Sequence, residues 1–199
     1  MCEISSVILA GGKSKRFGKN KAFLKVGNKI LINLIVDKMR KLSDELIIVT
    51  NTPEKFYYLN VKLSKDIIKN KGPLGGIYTG LYIAKNKSIL VIACDMPFLN
   101  TPLIKHIISY SQEYDVVIPE IDKFLEPIHA TYSKKCLKPI KRLLDANNLK
   151  IIDFFSDVNV KFVKNKEIRR YDSKFLSFFN INTLNDLKKA NEITKEINV

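Results

Sequence analysis

Hydrophobic positions along the chain fall into short, nearly solid runs that alternate with stretches in which they recur every three or four residues. Ser6–Ala10 (SVILA) is one such run, stopped by Gly11-Gly12, and predicts a buried strand. Ile30–Leu42 places Ile30, Leu31, Leu34, Ile35, Met39 and Leu42 on one side of a helix. Glu45–Thr50 (ELIIVT) and Ser88–Cys94 (SILVIAC) are further buried strands, and Val116–Ile118 is another. Between them, a short helical stretch opens at Thr52-Pro53. A helix over Ile77–Ala84 is expected to follow a glycine turn at Gly72-Pro73-Leu74-Gly75-Gly76. Thr101-Pro102 starts the next helix, with Thr as N-cap and Pro at the first helical position.

Strands that are apolar along their whole length and separated by amphipathic helices argue for a mostly parallel sheet covered on both faces. Beyond Pro119 the pattern loosens. Short strands around Pro127–Tyr132 and Val158–Val163 flank a helix near Lys135–Asp145, which suggests a small antiparallel extension. Asn182-Thr183 then caps a last amphipathic helix reaching about Lys195. The expected architecture is a three-layer α/β/α domain of Rossmann-like character spanning 1–199. No repeat, low-complexity tract or linker divides it.

Composition fits that picture and adds one question. The chain has 199 residues, 46% hydrophobic and 27% charged, which excludes wholesale disorder. No run approaches the roughly 18 apolar residues of a membrane span, and MCEISSVILAGG lacks the basic start of a signal peptide. Cys2, Cys94 and Cys136 form no CxxC pair, so a disulfide framework or zinc site is not expected and a reducing cytoplasm fits best. The net charge, however, is +14. Half of it comes from Lys13, Lys15, Arg16, Lys19, Lys21, Lys25 and Lys29, in an interval from Glu3 to Asp37 that holds no acid. A second acid-free interval carries Lys134, Lys135, Lys138, Lys141 and Arg142 at helical spacing, which reads as a solvated helix face.

In an open parallel sheet, ligands bind beyond the carboxyl ends of the strands. After the first strand comes Leu9-Ala10-Gly11-Gly12-Lys13-Ser14-Lys15-Arg16-Phe17-Gly18-Lys19-Asn20-Lys21. Glycines there admit close approach of backbone N–H groups, and the cations suit an oligophosphate. The spacing fails the P-loop pattern, since five residues separate Gly12 from Gly18 and Asn20 follows Lys19; GxGxxG is absent as well. The strand ending at Cys94-Asp95-Met96-Pro97 offers one carboxylate at its tip, the only acid between Asp66 and Glu113. Magnesium is commonly held by one or two carboxylates plus substrate phosphates, so Asp95 is the candidate ligand. Cys94 reads as packing, and His106 and His129 are too isolated for a hydrolase triad or a metal cluster. A cation together with a basic loop describes phosphoryl or nucleotidyl transfer, where catalysis is mainly positioning and charge stabilisation. An attacking phosphate would need no general base.

The loop LAGGKSKRFGKNK resembles the LAGGxSxRMGxxK signature of nucleotidyltransferases that build activated cofactors and sugars. Within that group the chain resembles the molybdenum cofactor guanylyltransferases. The supporting features are Leu9-Ala10-Gly11-Gly12 with Lys21, Asp66 upstream of Gly72-Pro73-Leu74-Gly75-Gly76, Cys94-Asp95-Met96-Pro97, and Phe179-Asn180-Ile181-Asn182-Thr183. The resemblance implies transfer of GMP from GTP to molybdopterin, in its free or molybdenum-loaded form, with release of pyrophosphate. It implies nucleotide contacts from Leu9, Ala10, Gly11, Gly12 and Lys21, a pocket shaped by Asp66, and Mg²⁺ on Asp95. Arg16 falls on the signature arginine and would stabilise the departing pyrophosphate. Glu126-Pro127 and Asn180-Ile181-Asn182 would border the pterin, with a nucleotide half at about 1–100 and an acceptor half at about 101–199. A cytoplasmic monomer is expected, in transient contact with molybdenum-insertion or acceptor proteins.

Two departures stand out: Phe17 replaces the usual Met, and Val49 with Asn51 stands where an additional Asn is common. The nearest rivals are transfer from CTP to the same pterin and transfer from another triphosphate to a sugar phosphate. A non-enzymatic nucleic-acid binder is the rival from a different class. It would need aromatics interleaved with the cations, and only Phe17 and Phe23 interrupt them.

Overall fold

The computed structural model describes residues 3–11 and 20–197. The first half of the chain carries strand β1 (Ser5–Leu9), a two-stranded ribbon of β2 (Lys25–Val26) and β3 (Lys29–Ile30), helix α1 (Leu31–Met39), β4 (Glu45–Val49) and β5 (Lys62–Ser64). Helix α2 (Gly72–Ile83), β6 (Ser88–Ala93), α3 (Thr101–Ser109), β7 (Val116–Ile121), β8 (Phe124–Leu125) and β9 (His129–Ser133) follow. The chain closes with α4 (Leu137–Asp145), β10 (Val160–Lys164), α5 (Asn165–Ile168) and α6 (Leu184–Ile197).

The main sheet has the order β10-β7-β9-β6-β1-β4-β5, with β8 paired to β7. β1 lies between β4 and β6, parallel to both, with Val7 opposite Ile47 and Val91. The antiparallel component expected in the second half is present. It sits inside the sheet, because β9 runs antiparallel between β6 and β7. β10 is a parallel edge strand on β7.

Period-two alternation distributes the apolar side chains to two faces. Ile8, Ile48, Leu90 and Ile92 pack with α1, α3 and α6 in one cluster. Val7, Ile47, Ile89 and Val91 pack with α2 and α4 in another. Three layers result, as the solid apolar runs require. Among the described residues no helix is long and apolar enough to cross a membrane.

Two local expectations are corrected. The glycine segment is no turn: α2 begins at Gly72 and takes in Gly75, Gly76 and Gly80. A Cβ on Gly76 would lie 2.9 Å from Leu9 Cδ2, and one on Gly80 2.8 Å from Val7 Cγ1. These glycines let the helix axis lie directly on β1, a close approach that overrides their poor helix propensity. Helix α3 is capped by Asn100, whose side chain accepts from the Leu103 N–H at 2.9 Å, one residue earlier than Thr101. The short helical stretch expected to open at Thr52-Pro53 is present as a 3-10 helix, Pro53–Leu59, with Thr52 at its N-cap position. At α6 the expected cap holds, since Thr183 Oγ1 accepts from the Asp186 N–H and the Asp186 carboxylate in turn accepts from the Thr183 N–H.

Gly80→Ala tests this packing. Overpacking against fully buried Val7 costs about 1–3 kcal/mol, of which improved helix propensity returns about 1 kcal/mol or less. The expected outcome is a lowered urea midpoint with unchanged slope; an unshifted midpoint would show that the contact is slack.

Candidate active site

The ladder bonds of β1, β4 and β6 run past the last strand residues. Ala10 N–H donates to Val49 O at 2.9 Å, Thr50 N–H to Ser64 O at 2.9 Å, and Cys94 N–H to Leu9 O at 3.1 Å. Thr50 Oγ1 also donates to Ala10 O at 3.1 Å. These bonds fix the positions at which Gly11, Asn51 and Asp95 leave the sheet. A cavity of about 1590 Å³ opens there, lined by Leu9, Ala10, Gly11, Lys21, Asn51, Asp66, Cys94 and Asp95 among others. Among the described residues a methyl on Gly11 would meet only Asn51 Nδ2, at 3.8 Å. The space above this glycine therefore faces the cavity.

At the β6 end, side chains distant in sequence converge. Asn20 accepts from the Ala22 N–H at 3.0 Å and opens the short 3-10 turn that carries Lys21. Lys21 Nζ donates to Asn182 Oδ1 at 2.7 Å and stands 3.4 Å from Asp95 Oδ2. The 180–182 segment is pinned beside them, because the Ile181 N–H donates to Asp95 O at 3.0 Å. Burial pushes the Asp95 carboxyl above the usual carboxylate range, and the Lys21 ammonium pulls the other way. Asp95 Oδ1 is buried without a hydrogen-bond partner among the described residues. A carboxylate that lines the cavity and keeps one oxygen without a partner among the described residues fits a cation that arrives with phosphate oxygens. Among the described residues no group of three or more His, Cys, Asp or Glu could hold a metal alone, so any such ion would depend on the bound substrate.

At the β5 end, Asn51 Nδ2 donates to Asp66 Oδ2 at 3.0 Å. Burial raises the Asp66 carboxyl and the Asn51 bond opposes that rise. Asn51, the position put in question by the Val49 departure, thus lines the cavity and orients Asp66. Cys94 is a packed thiol, as expected, with its pKa pushed up to about 12 chiefly by burial.

The other predicted residues are less tightly gathered. Glu126 and Pro127 lie in the turn leading to β9 beside Ile128, which lines the cavity, whereas neither of them lines it. Glu126 is raised by burial. Asn180 Nδ2 donates to Phe178 O at 3.1 Å, and its Oδ1 is buried without a partner. Gly12 and Arg16 lie outside the described residues.

Sequence reasoning missed Thr50, whose place directly after β4 was the available signal. It also missed the bond between Lys21 and Asn182, for which no local signal exists. The basic interval at Lys134–Arg142 is the solvated surface it suggested: Lys141 pairs with Asp145 and Lys135 with Asp115.

Residues 6–158 match the family described as the MobA-like NTP transferase domain. The probable molybdenum cofactor guanylyltransferase of Peptoclostridium acidaminophilum is 36% identical over 96% of this chain and 90% of its own length. The molybdenum cofactor guanylyltransferase of Desulfosudis oleivorans is 36% identical, covering 98% of each chain. Among solved structures, the molybdopterin-guanine dinucleotide biosynthesis protein A of Archaeoglobus fulgidus superposes with a TM-score of 0.85 at 27% identity. That match covers 97% of this chain and 100% of the other. With a family model matched over residues 6–158 and relatives of one kind aligned over nearly the full chain, the chain belongs to the molybdenum cofactor guanylyltransferase family of MobA-like nucleotidyltransferases.

Proposed function

We propose that this protein transfers GMP from GTP to molybdopterin, free or molybdenum-loaded, forming the guanine dinucleotide cofactor and releasing pyrophosphate. The observation that carries this reading is the meeting of Lys21, Asp95 and Asn182 at one end of a cavity whose other end holds Asp66 and Asn51. Family membership supplies the substrates.

The base faces Asp66, whose carboxylate is oriented by Asn51 and complements the adjacent N–H donors of guanine. Backbone groups of Leu9, Ala10 and Gly11 flank the nucleotide. Lys21 offsets phosphate charge at the reacting end, and Asp95 with the nucleotide phosphates would hold Mg²⁺. Bound there, the ion supplies Lewis-acid polarisation of phosphate oxygens. The phosphate of the pterin, already ionised at neutral pH, attacks the α-phosphorus. The bond from that phosphorus to the bridging oxygen breaks, and the electron pair leaves with pyrophosphate. No side chain needs to take a proton. Arg16 is assigned to the departing pyrophosphate and Gly12 to the nucleotide, both by the family signature. Asn182, held to Lys21, and Asn180, Glu126 and Pro127 border the acceptor. On this reading residues 1–100 form the nucleotide half and 101–199 the acceptor half, and Asp95 stands at the seam.

Incubation with molybdopterin, Mg²⁺ and each radiolabelled nucleoside triphosphate tests the assignment. Pyrophosphate release from GTP alone is expected. Equal turnover of CTP, or none with GTP, would overturn it in favour of a related transferase.

A further inference from the structure

The catalytic reading accounts for the β6 end of the cavity and for Asp66, and it leaves the cations at the opposite rim without a task. Lys55 follows β4, while Lys65 and Lys69 follow β5, the edge strand of the sheet. All three are exposed and all three line the cavity. None has an ion-pair partner among the described residues. The acid next to Lys65, Asp66, is hydrogen-bonded to Asn51 instead, and Glu54, next to Lys55, makes no ion pair among the described residues.

Their neighbours behave differently. Lys62 Nζ reaches Glu45 at 3.1 Å and Ile83 O at 2.7 Å. Lys71 Nζ donates to Leu144 O and to Asn147 Oδ1, both at 2.9 Å. Those two ammonium groups are committed to the fold. Lys55, Lys65 and Lys69 are not, so the fold does not explain them.

Nor would they touch the triphosphate once it is seated. Strands β6, β1, β4 and β5 lie side by side, and at about 4.8 Å per neighbour the two ends of the cavity are about 14 Å apart. That separation exceeds the Debye length of about 8 Å at physiological salt. Uncompensated cations at the mouth of a cleft act instead on the approaching ligand, through the field they project into solvent.

We infer that Lys55, Lys65 and Lys69 form an outer capture site for polyanionic nucleotides, which draws the triphosphate to the open β5 edge before it passes inward to Lys21. This inference rests on the proposed use of GTP and adds a kinetic role for residues outside the catalytic contacts. It predicts that the three lysines govern the rate of association and its salt dependence.

The experiment is stopped-flow binding of a fluorescent GTP analogue to the full chain and to the triple variant Lys55→Gln, Lys65→Gln, Lys69→Gln. A control variant, Lys138→Gln, Lys166→Gln, Lys174→Gln, loses the same charge from exposed positions that do not line the cavity. At about 20 mM salt the rim variant is expected to bind about tenfold more slowly, the lower end of the range for electrostatic steering. At about 500 mM salt, where the Debye length is only a few ångströms, the difference should vanish. The control should follow the wild type at both salts. Unchanged association in the rim variant, an equal loss in the control, or a deficit that persists at high salt would each overturn the capture site while leaving GTP as substrate. If the wild type fails to bind the analogue at any salt, the GTP reading itself falls, and the capture site with it.

Discussion

Asp95→Ala is expected to lower pyrophosphate release from GTP by at least about 10²–10³-fold, the usual scale for removing a group that stabilises transition-state charge. The carboxylate sits at the end of β6, one oxygen 3.4 Å from Lys21 Nζ and the other buried with no partner among the described residues. In the protein alone such an oxygen is a cost, because a buried acceptor without a donor forfeits its hydration. Asp95→Asn removes the charge while keeping the shape. Its melting temperature is therefore expected to match or exceed that of the wild type, even as turnover is lost. A variant that kept most of its rate would show that the metal and phosphate site lies elsewhere. One that lost both rate and fold would show that Asp95 is a structural capping group.

A second large effect is expected on stability, at His129. The side chain is fully buried, its ring lies 4.8 Å from that of Phe178, and neither ring nitrogen has a hydrogen-bond partner among the described residues. Burial pushes its pKa down to about 4, against weaker opposing effects from Asp172 and the Ser177 backbone. The folded state thus holds a neutral imidazole, whereas the unfolded chain protonates at its ordinary pKa of about 6.5. Between these values the unfolded state binds more protons. The stability from this site is complete above about pH 6.5, falls as pH drops towards about 4, and changes little below that. The loss between pH 7 and pH 4 is roughly 3 kcal/mol. His129→Gln stays neutral, so the difference between wild type and variant in denaturant midpoint should narrow, then reverse or shrink to nothing, as pH falls. A difference independent of pH would mean that His129 is already protonated in the fold or exposed to water. Phe178, which packs on His129, lies two residues before the 180–182 segment that carries Asn182 to Lys21.

Much of this was legible in the chain. The runs SVILA, ELIIVT and SILVIAC could be buried on both faces only in a covered parallel sheet, and each became a strand within a residue of its predicted limits. Asp95 was legible because a lone carboxylate at the end of such a strand must face the ligand side. The glycines of α2 were misread because glycine signals a turn and a close helix–sheet contact alike. Only the position of Leu9 and Val7 beneath them separates the two.

Local sequence, through periodicity and the residue types at strand ends, determined the layers of this protein and marked the strand ends from which the proposed site is built. The tertiary structure alone decided what depends on distance between residues remote in sequence. It brought Asn182 to Lys21, set β9 antiparallel inside the sheet, turned Asn51 onto Asp66, and left Lys55, Lys65 and Lys69 at the rim without an ion-pair partner among the described residues, while Lys62 and Lys71 were bound into the fold. Propensity and patterning act within a few residues of chain, whereas pairing of polar groups is fixed by which strand ends the packed sheet sets side by side.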